Sequence, residues 1–118
     1  MPSPHYRFRI LYVGRDCALP EALQGSLADL DCIVVRCPAN GVAGARRFIR
    51  SDIRYSAFLF DEVLSGATGE ELARFARALD HRATTPAFIV KECDDGASLS
   101  DEVGRVLGAG IRAGRRAI

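Results

Sequence analysis

Four short apolar runs recur along the chain: Ile10-Leu11-Tyr12-Val13, Cys32-Ile33-Val34-Val35, Ala57-Phe58-Leu59-Phe60 and Ala87-Phe88-Ile89-Val90. A run that is apolar at every position predicts a strand buried on both faces. The stretches between them read as amphipathic helices. Pro20 suits a first helical turn, and Leu19, Leu23, Leu27 and Leu30 form one apolar stripe. After Asn40-Gly41, the residues Val42, Ala45, Phe48 and Ile49 give a second helix its buried face, while Arg46, Arg47 and Arg50 face water. Thr68 and Glu71 form a capping-box pattern before a third helix that buries Leu72, Phe75, Ala76 and Leu79. Pro86 introduces the fourth strand. Ser98 and Asp101 mark a fourth helix, continued by Val103, Val106 and Leu107. Strand and helix therefore alternate four times. That order predicts an α/β fold, a doubly wound parallel sheet with helices on both faces in a three-layer sandwich.

The chain has 118 residues, enough for a single domain over 1–118, with tails at 1–7 and 112–118 expected to fray. Hydrophobic residues at 48% and charged residues at 26% exclude a disordered body. No apolar run approaches the roughly 18 to 20 residues of a membrane-spanning helix, so no membrane association is expected. The first residues carry no basic cap followed by an apolar stretch, so no secretory signal is read there. The four cysteines, Cys17, Cys32, Cys37 and Cys93, form no CxxC pair. They read as small hydrophobes in or beside strands of a reduced, cytoplasmic protein. A net charge of +1 argues against a nucleic-acid partner. Arg105, Arg112, Arg115 and Arg116 could touch phosphates, but they lack interleaved aromatics and a recognition helix.

In parallel sheets, function gathers at the carboxyl ends of the strands. The residues there are Gly14, Arg15 and Asp16; Arg36 and Cys37; Asp61 and Glu62; Lys91 and Glu92. Asp61 stands out. A carboxylate after a fully apolar strand sits at the rim of the core, and the loop behind it, Glu62 to Gly69, is expected to be small and flexible enough to let a ligand approach. Such a carboxylate can act as a nucleophile toward phosphorus; the plain structural role is a strand-ending Asp that caps the next turn. No GxGxxG or GxxxxGK[ST] follows any strand, which argues against a nucleotide-binding enzyme. His81 is expected to end the third helix, where a cation suits the dipole, and has no partner for general-base work.

The run from Phe58 to Leu72 resembles the receiver domain of two-component response regulators. Asp61 stands where that family has its phosphoacceptor, and Gly69, eight positions later, opens the third helix with Glu71 and Leu72. Asn40-Gly41 resembles the turn before the family's second helix, Thr85 to Val90 its fourth strand, and Ala109-Gly110 the turn before its fifth. The resemblance covers about residues 8 to 111. It implies a flavodoxin/CheY-like fold, a regulatory rather than enzymatic role in a phosphorelay, and a protein partner, either a histidine kinase or an output domain.

The departures are as informative as the matches. The family's two metal-holding acids after the first strand are replaced by Gly14 and Arg15, and only Asp16 follows. Magnesium prefers carboxylate and phosphate oxygens. Asp16 and Asp61 are thus weak candidates for a metal pair, and the resemblance implies no cofactor besides this doubtful magnesium. The family's hydroxyl residue after the fourth strand is Lys91, the only lysine of the chain, and the lysine after its fifth strand has no counterpart. Two readings follow. Asp61 is phosphorylated with Arg15 and Lys91 neutralising charge, or the domain is a pseudo-receiver in which Asp61 pairs with Arg15 or Lys91 and the output is protein binding. The second is favoured, because positioned metal supplies much of the stabilisation of phosphoryl transfer.

Residues 112–118 make a poor strand, so the fold is expected to lack its last strand and helix. The fourth strand then lies at a sheet edge, and a homodimer or partner segment is expected to cover it and the fourth helix. The alternatives are a short fifth strand from Arg115 to Ile118, or a longer regulator of which this chain is a part.

Overall fold

In the computed structural model, which describes residues 8–15, 19–27, 32–37, 42–91 and 99–107, each apolar run is a strand of one parallel sheet. The strands are β1 (Phe8–Val13), β2 (Cys32–Arg36), β3 (Ala57–Asp61) and, after a small hairpin, β6 (Ala87–Val90). The hairpin pairs β4 (Val63–Leu64) with β5 (Ala67–Thr68). The helices are α1 (Leu19–Ser26), α2 (Val42–Arg50), α3 (Gly69–Arg77) and α4, residues 99–107. The expected α/β architecture is therefore observed.

The sheet order is β2-β1-β3-β6, with every neighbouring pair parallel. Ile10 lies opposite Val34 on one side and Ala57 on the other. The chain steps from β1 to β2 in one direction, then crosses back over β1 to β3. The order thus reverses between β1 and β3, and the crevice beyond their carboxyl ends is where such sheets place ligands.

Alternation along each strand divides the core into two layers. Ile10, Tyr12 and Leu59 face α1 and α4, where they meet Leu19, Leu23, Leu27, Leu99, Val103 and Leu107. Leu11, Phe58 and Phe60 face α2 and α3, where they meet Ala45, Ile49, Leu72 and Ala76. Ile10, Leu11, Tyr12, Phe58, Leu59 and Phe60 are fully buried. Burying side chains of this size contributes roughly 1.5–3 kcal/mol each. The thiols of Cys32 and Cys37 are free and buried, as small hydrophobes would be. Burial pushes the Cys32 thiol up to about 11.

β6 pairs only with β3 among the described residues, and all four of its residues are half-buried. α4 joins the face that already holds α1, whereas α2 and α3 share the other face.

Three local expectations are refined. Thr68 does cap α3, its Oγ1 accepting from the Glu71 N–H at 3.2 Å. The stretch after Asp61, expected to be a flexible loop, is instead the β4–β5 hairpin, turning at Gly66 with φ of 92°. A side chain at that φ would be strained, so the turn needs glycine. His81 does not end α3. The helix stops at Arg77, Leu79 is extended, and His81 lies in a separate 3-10 turn, Asp80–Arg82. There His81 Nε2 approaches the Ser51 carbonyl oxygen at 3.2 Å.

Arg82 is the one buried charge among the described residues. Its Nε donates to the Ile49 carbonyl at 3.0 Å and its Nη2 to that of Ser51 at 2.8 Å and to that of Ile53. The guanidinium also lies 5.0 Å from the Tyr55 ring centre and 5.7 Å from that of Phe58. A buried cation is tolerated when its donors are satisfied and aromatic faces flank it. Arg82 thereby ties the segment after α2 to the turn after α3. The expected elements at Leu30, Asn40-Gly41 and Ser98, the cysteines Cys17 and Cys93, the tails, and any fifth strand lie outside the described residues.

Candidate functional site

Asp61 is the last residue of β3 and is half-exposed. Its position follows from the apolar residues before it, which hold β3 in the centre of the sheet and bring its end to the reversal point between β1 and β3. The β1 side supplies its partners. Tyr12 Oη donates to Asp61 Oδ1 at 2.8 Å. The main-chain N–H of Arg15 donates to Asp61 Oδ2 at 3.1 Å. Both carboxylate oxygens thus accept a hydrogen bond.

Gly14 makes this arrangement fit. A Cβ at position 14 would collide with Tyr12 Oη and with Asp61 Oδ1. The phenol hydroxyl occupies the space in which a side chain at 14 would begin. Any acid at 14 would have to displace Tyr12, so glycine here and tyrosine two residues earlier form one unit.

Gly69 fits the other side. A Cβ there would run into the Asp61 carbonyl oxygen, so the start of α3 approaches the Asp61 backbone more closely than a side chain permits. The Gly69 N–H donates to the Glu62 carbonyl at 3.0 Å and closes the β4–β5 hairpin.

Of the residues singled out in the sequence, the structure brings Arg15 to Asp61, through its main-chain amide. Lys91, exposed, stands one residue beyond Val90, the register partner of Asp61 on β6. The N–H of Glu62 donates to the Val90 carbonyl at 2.9 Å and fixes that register. Asp16, Cys17 and Glu92 lie outside the described residues. Tyr12 is the site residue that sequence reasoning missed, because it was counted only as an apolar member of its strand. The available signal was a residue with a polar tip two positions before a glycine at the strand's end.

Among the described residues, the donors around Asp61 anchor its carboxylate. Gly14 offers no ligand, Oδ1 and Oδ2 are engaged by donors, and among the described residues no three His, Cys, Asp or Glu side chains gather closely enough to hold a metal ion. Magnesium takes near-octahedral oxygen ligands, and of the expected pair Asp61 alone lies among the described residues.

No family model and no curated protein matches the chain. Solved structures do resemble it. A response regulator receiver protein from Sinorhizobium medicae is 18% identical with a TM-score of 0.63, covering 86% of this chain and 95% of that one. The receiver domain of a sensor histidine kinase from Pseudomonas aeruginosa, solved with a magnesium ion coordinated in its active-site cleft, is 19% identical with a TM-score of 0.65, covering 86% and 98%. The signal receiver domain of a signal transduction histidine kinase from Syntrophus aciditrophicus is 17% identical with a TM-score of 0.68, covering 86% and 91%. The chain therefore has the receiver, CheY-like fold that its sequence resembles, and Asp61 ends the central strand of that fold.

Proposed function

We propose that this receiver-fold chain is a regulatory domain of two-component signal transduction that works as a pseudo-receiver, through protein contacts rather than magnesium-dependent phosphorylation. The observation that carries this reading is the pair of hydrogen bonds on Asp61, from the Tyr12 hydroxyl and the Arg15 amide. A carboxylate oxygen that attacks phosphorus must present a lone pair, and a hydrogen bond to a charged group is worth about 1.5–3 kcal/mol. Each oxygen keeps a second lone pair, so the two bonds do not block attack; they hold the carboxylate in place and draw electron density from both oxygens, which makes it a weaker nucleophile. The residue at 14, which would bring a second acid to a metal, is glycine. Without a dication, the charge that builds on the phosphoryl oxygens is opposed, among the described residues named for the site, by Arg15 and Lys91, and cationic side chains are a poor substitute for a positioned metal.

In this role the chain is not an enzyme and needs no cofactor, and it acts in the cytoplasm. Its partner is a protein, a histidine kinase or an output domain. The half-buried edge strand β6 and exposed Val106 on α4 favour a homodimer formed through that side. Sedimentation at high concentration tests the dimer; a compact monomer contradicts it.

The test of the site is a magnesium titration followed by the backbone amide signals of Arg15, Asp61 and Glu62. The pseudo-receiver reading predicts no saturable shift at millimolar magnesium. A second reading, that Asp61 is a phosphoacceptor served by Arg15 and Lys91, draws support from its half-exposed place at the end of the central strand. Saturable shifts confined to those amides favour that second reading.

A further inference from the structure

At the opposite end of the sheet from Asp61 lies a cleft of about 710 Å³. It opens where β1, β3 and β6 begin, and its walls include Arg9, Arg54, Arg82, Asp52, Ser56 and Thr85. Four residues of β3, 57–60, lie between Ser56 in the cleft and Asp61, roughly 16 Å along the strand. The volume falls within the roughly 300–1,000 Å³ typical of small-molecule sites.

The charge in this cleft is lopsided. Three arginines face one aspartate, an excess of two positive charges with His81 neutral, on a chain whose whole net charge is +1. Arg82 is 3% exposed and its hydrogen-bond acceptors are the main-chain carbonyls of Ile49, Ser51 and Ile53, while the Asp52 carboxylate in the same cleft acts on it only through its charge and leaves the cleft with an excess of cations. Arg82 is therefore a fixed cation in the wall. Arg9 and Arg54 are exposed at the rim. The charges of Arg82 and Arg9 both act on Tyr55, opposing the upward push of burial on its hydroxyl. Arg9 is held in register by its own backbone, since the Ser56 N–H donates to the Arg9 carbonyl at 2.7 Å and the Arg9 N–H donates to Ser56 Oγ at 3.3 Å.

We infer that this cleft binds a phosphate-bearing small molecule, held by Arg9 and Arg54 over the fixed charge of Arg82. Guanidinium forks match phosphate oxygens two at a time, which favours phosphate over a single carboxylate. The hydroxyls of Ser56 and Thr85 line the same cleft and can donate to further phosphate oxygens. The site is separate from Asp61 and does not depend on whether Asp61 is modified.

Inorganic pyrophosphate is the probe, titrated into the full chain and followed by amide shifts and by calorimetry. The expected result is saturable binding with shifts at Arg9, Ser56 and Thr85. The Arg9→Gln/Arg54→Gln pair, both exposed and so compatible with folding, weakens it about a hundredfold, the scale of two lost charge-assisted contacts. Arg47→Gln/Arg77→Gln, on other surfaces, and Asp61→Asn leave it little changed. Equal weakening by the Arg47/Arg77 pair marks diffuse attraction and overturns the site. Shifts centred on Arg15 and Asp61 overturn it too. Citrate binding as tightly as pyrophosphate overturns the phosphate assignment.

Discussion

The Tyr12 hydroxyl donates to Asp61 Oδ1 at 2.8 Å, joining the end of β1 to the end of β3 where the sheet order reverses. Tyr12 is fully buried, so its ring belongs to the core and only its tip reaches the site. The contact therefore couples the packing of the α1 layer to the state of the Asp61 carboxylate.

Tyr12→Phe keeps the ring and removes the donor. It is expected to lower stability by about 1–2 kcal/mol, the cost of one hydrogen bond to a half-exposed carboxylate. Urea unfolding measures this through the midpoint, with the slope unchanged. A midpoint equal to that of the parent chain would show that the bond contributes nothing.

Gly14→Ala forces a methyl against Tyr12 Oη, the ring carbon that bears it, and Asp61 Oδ1. Overpacking of this kind costs about 1–3 kcal/mol. Tyr12→Val, which clears the ring, should relieve much of that cost, so a double-mutant cycle is expected to show strong coupling between positions 12 and 14. Additive effects would mean that the two residues do not share the space.

Arg82 bonds three main-chain carbonyls and lies over two rings. Arg82→Met leaves the buried Ile49 carbonyl and the part-buried carbonyls of Ser51 and Ile53 without this donor and is expected to cost about 2–4 kcal/mol. Arg82→Lys should recover only part, because one ammonium cannot reproduce the planar fork. Full recovery with lysine would show that charge alone matters. Thermal unfolding of the three chains gives the comparison.

Stability is expected to fall at alkaline pH. The Cys32 thiol is pushed from 9.0 to about 11 by burial, and burial also raises Tyr55. Between pH 9 and 11 the folded state keeps the Cys32 proton while the unfolded chain has released it, so rising pH favours unfolding. The contribution is present in full below pH 9 and lost through that window. Cys32→Ala should flatten the decline, and an unchanged profile would exclude Cys32 as its source. At neutral pH the same thiol should react slowly with iodoacetamide in the folded chain.

The strands were legible because buried parallel strands are apolar at every position, and β1, β2, β3 and β6 each carry such a run. The α3 cap was legible because Thr68 and Glu71 have the required spacing and residue types. Asp61 was legible as a strand-end carboxylate. Its partner was not, because the destination of the Tyr12 hydroxyl depends on which strand pairs with β1, and no local spacing encodes that. Arg82 was hidden for a similar reason: its acceptors lie 29 to 33 residues away. The β4–β5 hairpin could have been read from Ser65-Gly66 between two short apolar pairs, but the pairs are only two residues long. Periodicity marked α4 as a helix, but which face of the sheet it joins is settled by packing with Leu19, Leu23 and Leu27.

Incubation with acetyl phosphate and magnesium, followed by intact-mass measurement beside Asp61→Asn, tests the account most directly. An Asp61 carboxylate tied to Tyr12, with glycine at 14, predicts no mass gain in either chain. A phosphoryl adduct on the parent chain that disappears in Asp61→Asn would contradict it, and would show that the carboxylate reacts despite its two hydrogen bonds.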